Sequence, residues 1–177
     1  MRVKRRVAEA VIILLCFILQ GTVFQTLSIG SITPNLLLII TVSLGFMQGK
    51  LSGLWIGFFC GILQDVFYGN LLGFYAFIYL CIGYAAGCCC KIFYEEEIRV
   101  PMLLVAVGDL LYGIMVYGMQ FLMRGRLEFF YYFERIVIPE MLYTLLITVI
   151  FYKLLFKLNK KMTELEMKER DSIWLRK

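Results

Sequence analysis

The chain has 177 residues, 61% of them hydrophobic and 18% charged, with no histidine, a net charge of +5 and a mean hydropathy of +0.80. A water-soluble fold cannot hide that much apolar surface, because more than half of an ordinary folded surface is already apolar. The composition predicts an all-α membrane protein with almost nothing left over for a soluble domain.

The first element is a basic start, Arg2 to Arg6, followed by an apolar run from Val7 to Leu19. The run is too long for a signal peptide and no small-residue cleavage site follows it, so it is expected to remain as a first span over 7–27. Five more apolar segments follow, over 34–48, 51–68, 71–90, 101–123 and 136–156, giving six expected spans within a membrane domain covering 1–157. Residues 34 to 68 would form a helix of roughly 50 Å, against a hydrocarbon core of roughly 30 Å. The polar break Gln48-Gly49-Lys50 is therefore expected to be a tight hairpin. Pro34, Pro101 and Pro139 fall near span starts, where a missing N–H costs little. The basic tail over 158–177 carries Glu164/Lys168 and Glu166/Arg170 at helical spacing and reads as a surface helix lying on the inner membrane face.

Orientation follows from the basic residues. With the N-terminus inside, 15 of the 18 Lys and Arg fall on the inner side, and only Arg124, Arg126 and Arg135 fall outside. Both termini are expected in the cytoplasm. The aromatic cluster from Phe129 to Phe133 in the last outer loop fits the lipid–water boundary, with an external docking surface as the alternative.

Two patterns inside the spans point to specific roles. Glycine recurs every fourth residue from Gly45 through Gly49, Gly53 and Gly57 to Gly61, and again at Gly83 and Gly87. On a helix this spacing leaves a groove without side chains, which in a bilayer admits a second helix at close range. Gly53, Gly57, Gly61, Gly83 and Gly87 are thus expected packing residues. The second pattern is acidic. Asp65, Asp109 and Glu140 fall in or at the ends of spans without an intramembrane Lys or Arg beside them. A carboxylate at such depth must be protonated, hydrogen-bonded or facing a wet cavity. Asp65 and Glu140 are expected near one outer level, and Asp109 nine residues into its span. Helix–helix hydrogen bonding and a binding pocket remain equally open as roles for these acids.

The residue inventory offers no catalytic set. Absence of histidine removes the commonest general base and the usual nucleophile dyads. The consecutive Cys88, Cys89 and Cys90 point in diverging directions on a helix and do not converge on a metal. No enzyme activity, metal or cofactor is expected.

The order of motifs resembles the rod shape-determining protein MreD family. Pro34-Asn35-Leu36-Leu37-Leu38 leads into the spaced glycines, then Gly61-Ile62-Leu63-Gln64-Asp65. Gly69-Asn70-Leu71-Leu72-Gly73 follows, then Tyr79 and Gly83-Tyr84-Ala85-Ala86-Gly87, and finally Ile138-Pro139-Glu140 and Tyr143. Members often carry Asp where this chain has Asn35, which keeps the hydrogen-bonding shape without the charge. The resemblance implies a non-enzymatic scaffold of the bacterial inner-membrane elongation machinery. Its implied partners are MreC, bound directly, with MreB, RodA and a class B penicillin-binding protein directing lateral peptidoglycan synthesis; no nucleic acid is implied. It also implies an architecture similar to the substrate-binding component of energy-coupling-factor transporters, six helices around an outward-facing pocket. Pro34, Asn35, Gln64, Asp65, Asp109, Pro139, Glu140 and Tyr143 are the expected pocket or partner-binding residues. A vitamin-uptake component of that transporter class is the alternative. Its Ala-x-x-x-Ala contact motif is missing from the first span, where Ile12 follows Ala8 and Leu14 follows Ala10.

Overall fold

The computed structural model describes residues 2–28, 32–69, 71–90, 99–124 and 129–174, all helical or connecting turns. The elements are α1 (Arg2–Gly21), the short α2 (Val23–Thr26), α3 (Leu36–Gln48), α4 (Lys50–Tyr68), α5 (Phe74–Cys89), α6 (Arg99–Arg124), α7 (Phe129–Tyr132) and α8 (Ile138–Trp174). Asn70, the first part of the outer loop at 125–128, and the side chains of Glu166, Lys168, Arg170 and Trp174 lie outside the described residues.

Four stretches are long and apolar enough to cross a membrane: Arg5–Thr26, Lys50–Tyr68, Arg99–Met119 and Phe133–Glu164. Their exposed faces are apolar at helical spacing, with Leu142, Leu146, Ile150 and Leu154 on α8 and Leu103, Val107, Leu111 and Ile114 on α6. Stripes of that size would drive aggregation in water; here they are the lipid-facing surface.

The helices α3 and α5 are shorter, with 13 and 16 residues, or about 20 and 24 Å. The reason α3 can be short is its position. Every residue from Leu36 to Met47 is buried, and α3 packs against α1, α4, α5, α6 and α8. A helix enclosed by protein has no need to match the hydrocarbon thickness, and irregular backbone at its ends is tolerated because protein groups satisfy it. Its low sequence amphipathicity follows from the same enclosure.

The break between α3 and α4 is a single residue, Gly49, at φ 90°. That left-handed backbone is strained for any residue with a Cβ. The Gly49 N–H closes α3 on the Gly45 carbonyl, and the Gly49 carbonyl opens α4 by accepting from the Gly53 N–H.

The glycine ladder packs three helices together. A Cβ on Gly53 would run into the Gly83 carbonyl, one on Gly57 into the Tyr79 carbonyl, and one on Gly61 into the Ala76 Cα. In return, Gly87 faces the Lys50 backbone. The descending register makes α4 and α5 an antiparallel pair in backbone contact. Gly45 brings α3 to the same crossing, since its Cβ would lie 2.9 Å from the Gly83 carbonyl and 3.2 Å from the Gly53 Cα.

One end of the bundle is tied by Arg5. Its guanidinium pairs with the buried Glu9 at 3.2 Å and donates to Asn159 Oδ1 of α8 at 3.0 Å. The start of α1 and residue 159 therefore share one end. Beyond that contact α8 continues without a break to Trp174, about 22 Å further. The tail expected to lie flat as its own surface helix is thus continuous with the last apolar helix.

The start of α8 differs from expectation. Pro139 is not at a free helix start, because helical backbone already runs through a π-helical turn at Phe133–Val137. The Ile138 N–H reaches back five residues to the Phe133 carbonyl. The wider turn lies directly upstream of the proline ring, where an ordinary α-turn would collide with the carbonyl four residues back.

Candidate functional site

Asp65 sits at the end of α4 and is 3% exposed. Its carboxylate accepts three backbone hydrogen bonds from the start of α5: from Gly73 N–H at 3.0 Å, Tyr75 N–H at 2.9 Å and Ala76 N–H at 2.9 Å. The local capping position is Gly73, at φ 96° and without a side chain. Asp65 therefore supplies from the preceding helix what a local Asp or Ser normally supplies, and its negative charge meets the positive end of the helix dipole. Tyr75, on the capped turn, lies within electrostatic reach of both Asp65 and Glu140.

Asn35 performs the same service for α3 and does more. Its Oδ1 accepts from the Leu38 N–H at 3.1 Å and from the Tyr79 hydroxyl at 2.7 Å, while its own N–H donates to Thr144 Oγ1 at 3.3 Å. One buried asparagine thus joins three helices, its side chain linking α3 to α5 and its backbone N–H reaching α8. Neutral Asn is enough, because both contacts use a carbonyl-type acceptor. Asn35→Ala is expected to lower the unfolding free energy in detergent by about 2 kcal/mol through the lost cap and an orphaned tyrosine hydroxyl. Asn35→Asp, which keeps the acceptors, is expected to lose less in the same denaturation measurement.

Asp109, on α6, is 3% exposed, and neither carboxylate oxygen has a hydrogen-bond partner among the described residues. Thr144 is its nearby hydroxyl, but that hydroxyl donates to the Glu140 carbonyl at 2.8 Å. Glu140 itself lies within electrostatic reach of Asp109. Around the two acids stand Tyr112, whose ring packs against Tyr75 and Tyr79 at centroid distances of 5.9 and 5.7 Å. Tyr132, at the end of α7, lies near Glu140 and Tyr75. Burial, reinforced by these neighbours, pushes its hydroxyl up to about 12, so it stays protonated and able to donate.

The expected site residues therefore separate. The buried Asn35 and Asp109 and the partly buried Glu140 belong to one polar cluster, with the buried Pro34 leading into it and Pro139 beside Glu140 in the chain. Asp65 reaches its edge through Tyr75. Tyr143 turns away: its ring meets Phe24 and its hydroxyl donates to the Leu27 carbonyl at 3.4 Å. Gln64 lines a separate hollow with Gln20 and Tyr68. Sequence reasoning passed over Tyr75 and Thr144 as site residues. The available signal was Thr144 and Thr148, four apart in an apolar helix, where each hydroxyl bonds the carbonyl one turn back.

No group of three His, Cys, Asp or Glu that could hold a metal occurs among the described residues, and Cys16, Cys60, Cys81, Cys88 and Cys89 are free thiols. The described polar groups form no nucleophile–base arrangement.

Apolar stripes outside, a glycine-packed centre and a partly buried patch of acids and tyrosines define an all-helical membrane protein. The chain belongs to the rod shape-determining protein MreD family, whose model matches residues 4–162, nearly its whole length. The resemblance read from the motif order is thereby borne out, and membership places the chain in rod shape determination. Comparison with curated proteins and with solved structures returned no match.

Proposed function

We propose that this chain is a non-enzymatic scaffold of the bacterial rod complex that binds MreC and supports lateral peptidoglycan synthesis alongside MreB, RodA and a class B penicillin-binding protein. It does so from the inner membrane as a six-span domain over 1–157, with both termini and the 158–177 tail in the cytoplasm. The observation that carries the reading is the family match over residues 4–162. The contact of Arg5 with Asn159 supports a common side for the two termini, and the basic residues at that end support a cytoplasmic one.

The six helices are arranged, in this reading, as in the substrate-binding component of energy-coupling-factor transporters. The pocket-like part is the Asn35, Asp109 and Glu140 cluster. A lipid-facing trough between α1 and α4, lined by Ala10, Ile13 and Leu14 opposite Trp55, Phe59 and Ile62, supports docking of the membrane segment of MreC.

The test is complementation in a depleted rod-shaped strain, together with affinity capture from detergent-solubilised membranes. Wild-type chain is expected to restore rods and recover MreC. Glu140→Ala is expected to insert normally yet leave cells rounded. Rods restored by Glu140→Ala would remove the acidic cluster from the function, and recovery of an ATP-binding-cassette module instead of MreC would overturn the scaffold reading.

A further inference from the structure

Gln64 is only 9% exposed, and its Oε1 accepts no hydrogen bond among the described residues. An unmet acceptor in a buried place is costly unless something else donates to it. Gln64 borders a hollow of about 380 Å³ whose other polar liners are Gln20, Gln25, Ser28, Thr33 and Tyr68. That volume falls at the small end of small-molecule sites. The hollow lies where α1 and α4 both finish, at the far end of the bundle from the contact between Arg5 and Asn159.

The chemistry of the lining is selective. No described liner carries a charge, so a phosphate, a carboxylate or an ammonium group finds no counter-ion there. Three amides and three hydroxyls present donors and acceptors side by side. The Gln20 Oε1 already accepts from the Leu37 N–H at 3.2 Å, which pins that amide to the start of α3 and leaves its N–H groups as its main offer. Gln64 offers the complementary acceptor, and Tyr68 adds an aromatic ring. Gly21 keeps the Tyr68 side open, since a Cβ there would stand 2.9 Å from the Tyr68 hydroxyl.

We propose that this hollow binds an uncharged, polyhydroxylated ring, the chemistry of one neutral sugar, presented either as the head group of a membrane glycolipid or as a soluble glycoside. The ring donates to Gln64 Oε1, accepts from Gln20, and exchanges further hydrogen bonds with Gln25, Ser28 and Thr33. This assignment is independent of the scaffold reading and of MreC binding.

The experiment is native mass spectrometry of the full chain released from nanodiscs holding equal parts of monoglucosyl-diacylglycerol and phosphatidylglycerol. Glucolipid adducts are expected to exceed phosphatidylglycerol adducts by about tenfold, and Gln64→Leu is expected to bring the ratio near parity. Leucine is close in size and relieves the unmet acceptor, so thermal unfolding should stay near the parent's; should that variant misfold, Gln25→Leu decides by the same ratio. Displacement of the glucolipid by methyl glucoside supports a site for sugars in general, and its retention supports a glycolipid site. Equal adducts of both lipids on the parent overturn the proposal, as does a preference that survives both substitutions. Binding of the blocked dipeptide N-acetyl-alanyl-serine amide without any sugar binding overturns it too, in favour of a peptide site.

Discussion

Asp65→Ala is expected to lower the unfolding free energy of the detergent-solubilised chain by about 3 kcal/mol, with Asp65→Asn losing roughly half of that. Three backbone N–H groups at the start of α5 depend on one carboxylate. Removal leaves donors that no local side chain can serve, because the capping position is Gly73 and neighbouring backbone is already close. Asparagine keeps one acceptor oxygen but brings an amide N–H against donors and gives up the charge that favours the helix N-terminus. Chemical denaturation followed by helical circular dichroism checks the order wild type, Asp65→Asn, Asp65→Ala. In cells, the alanine variant is expected to insert into the membrane but fail to support rod shape, since the α4–α5 turn also positions Tyr75 beside Glu140. A variant as stable as wild type would show that the cap is dispensable.

Gly57→Ala is expected to cost a similar amount, roughly 3 kcal/mol, from the addition of a single methyl group. The added carbon meets the Tyr79 carbonyl and the Leu80 Cα of α5. Backbone cannot rotate aside as a flexible side chain can, so the two helices must separate. Separation also pulls Tyr79 away from Asn35, which couples the glycine groove to the polar cluster. Gly118→Ala provides the internal comparison: it lies within α6, none of the described residues stands within 4 Å of its Cβ position, and it is expected to be neutral within about 1 kcal/mol. Thermal unfolding of both variants in one detergent measures the contrast. Equal loss in both would mean that the glycines matter for helix flexibility rather than close approach.

Much of the architecture was legible in the chain because bilayers impose simple rules. A run of apolar residues that cannot fit in water must span or be enclosed, so the helices fall close to the apolar segments. Gly49 was readable as a break because it sits in the only polar gap of a 35-residue stretch too long for one crossing. The spaced glycines were readable as a groove because a four-residue period places them on one face whatever the neighbour turns out to be. The motif order was specific enough to reach the family.

Other features depend on partners distant in the chain. Asp65 and Gln64 are adjacent in sequence and both looked like pocket residues, yet the 100° step between neighbours on a helix sends them to different places. Asp65 caps α5, whereas Gln64 faces the hollow beside α1. The role of Asn35 rests on Tyr79, 44 residues away, and on Thr144, 109 residues away. Pro139 looked like a helix start because a proline there usually is one; the π-helical turn that admits it is backbone geometry that no residue type announces.

The sequence by itself determined that this is a membrane-embedded helical chain of the MreD family with a glycine face and buried acids, because hydropathy, spacing and motif order act locally along the chain. Only the tertiary structure decided which acid is a structural cap and which has no hydrogen-bond partner among the described residues, and why α3 can be so short. Those outcomes depend on which faces meet, and that is settled by packing among helices rather than by the composition of any one of them.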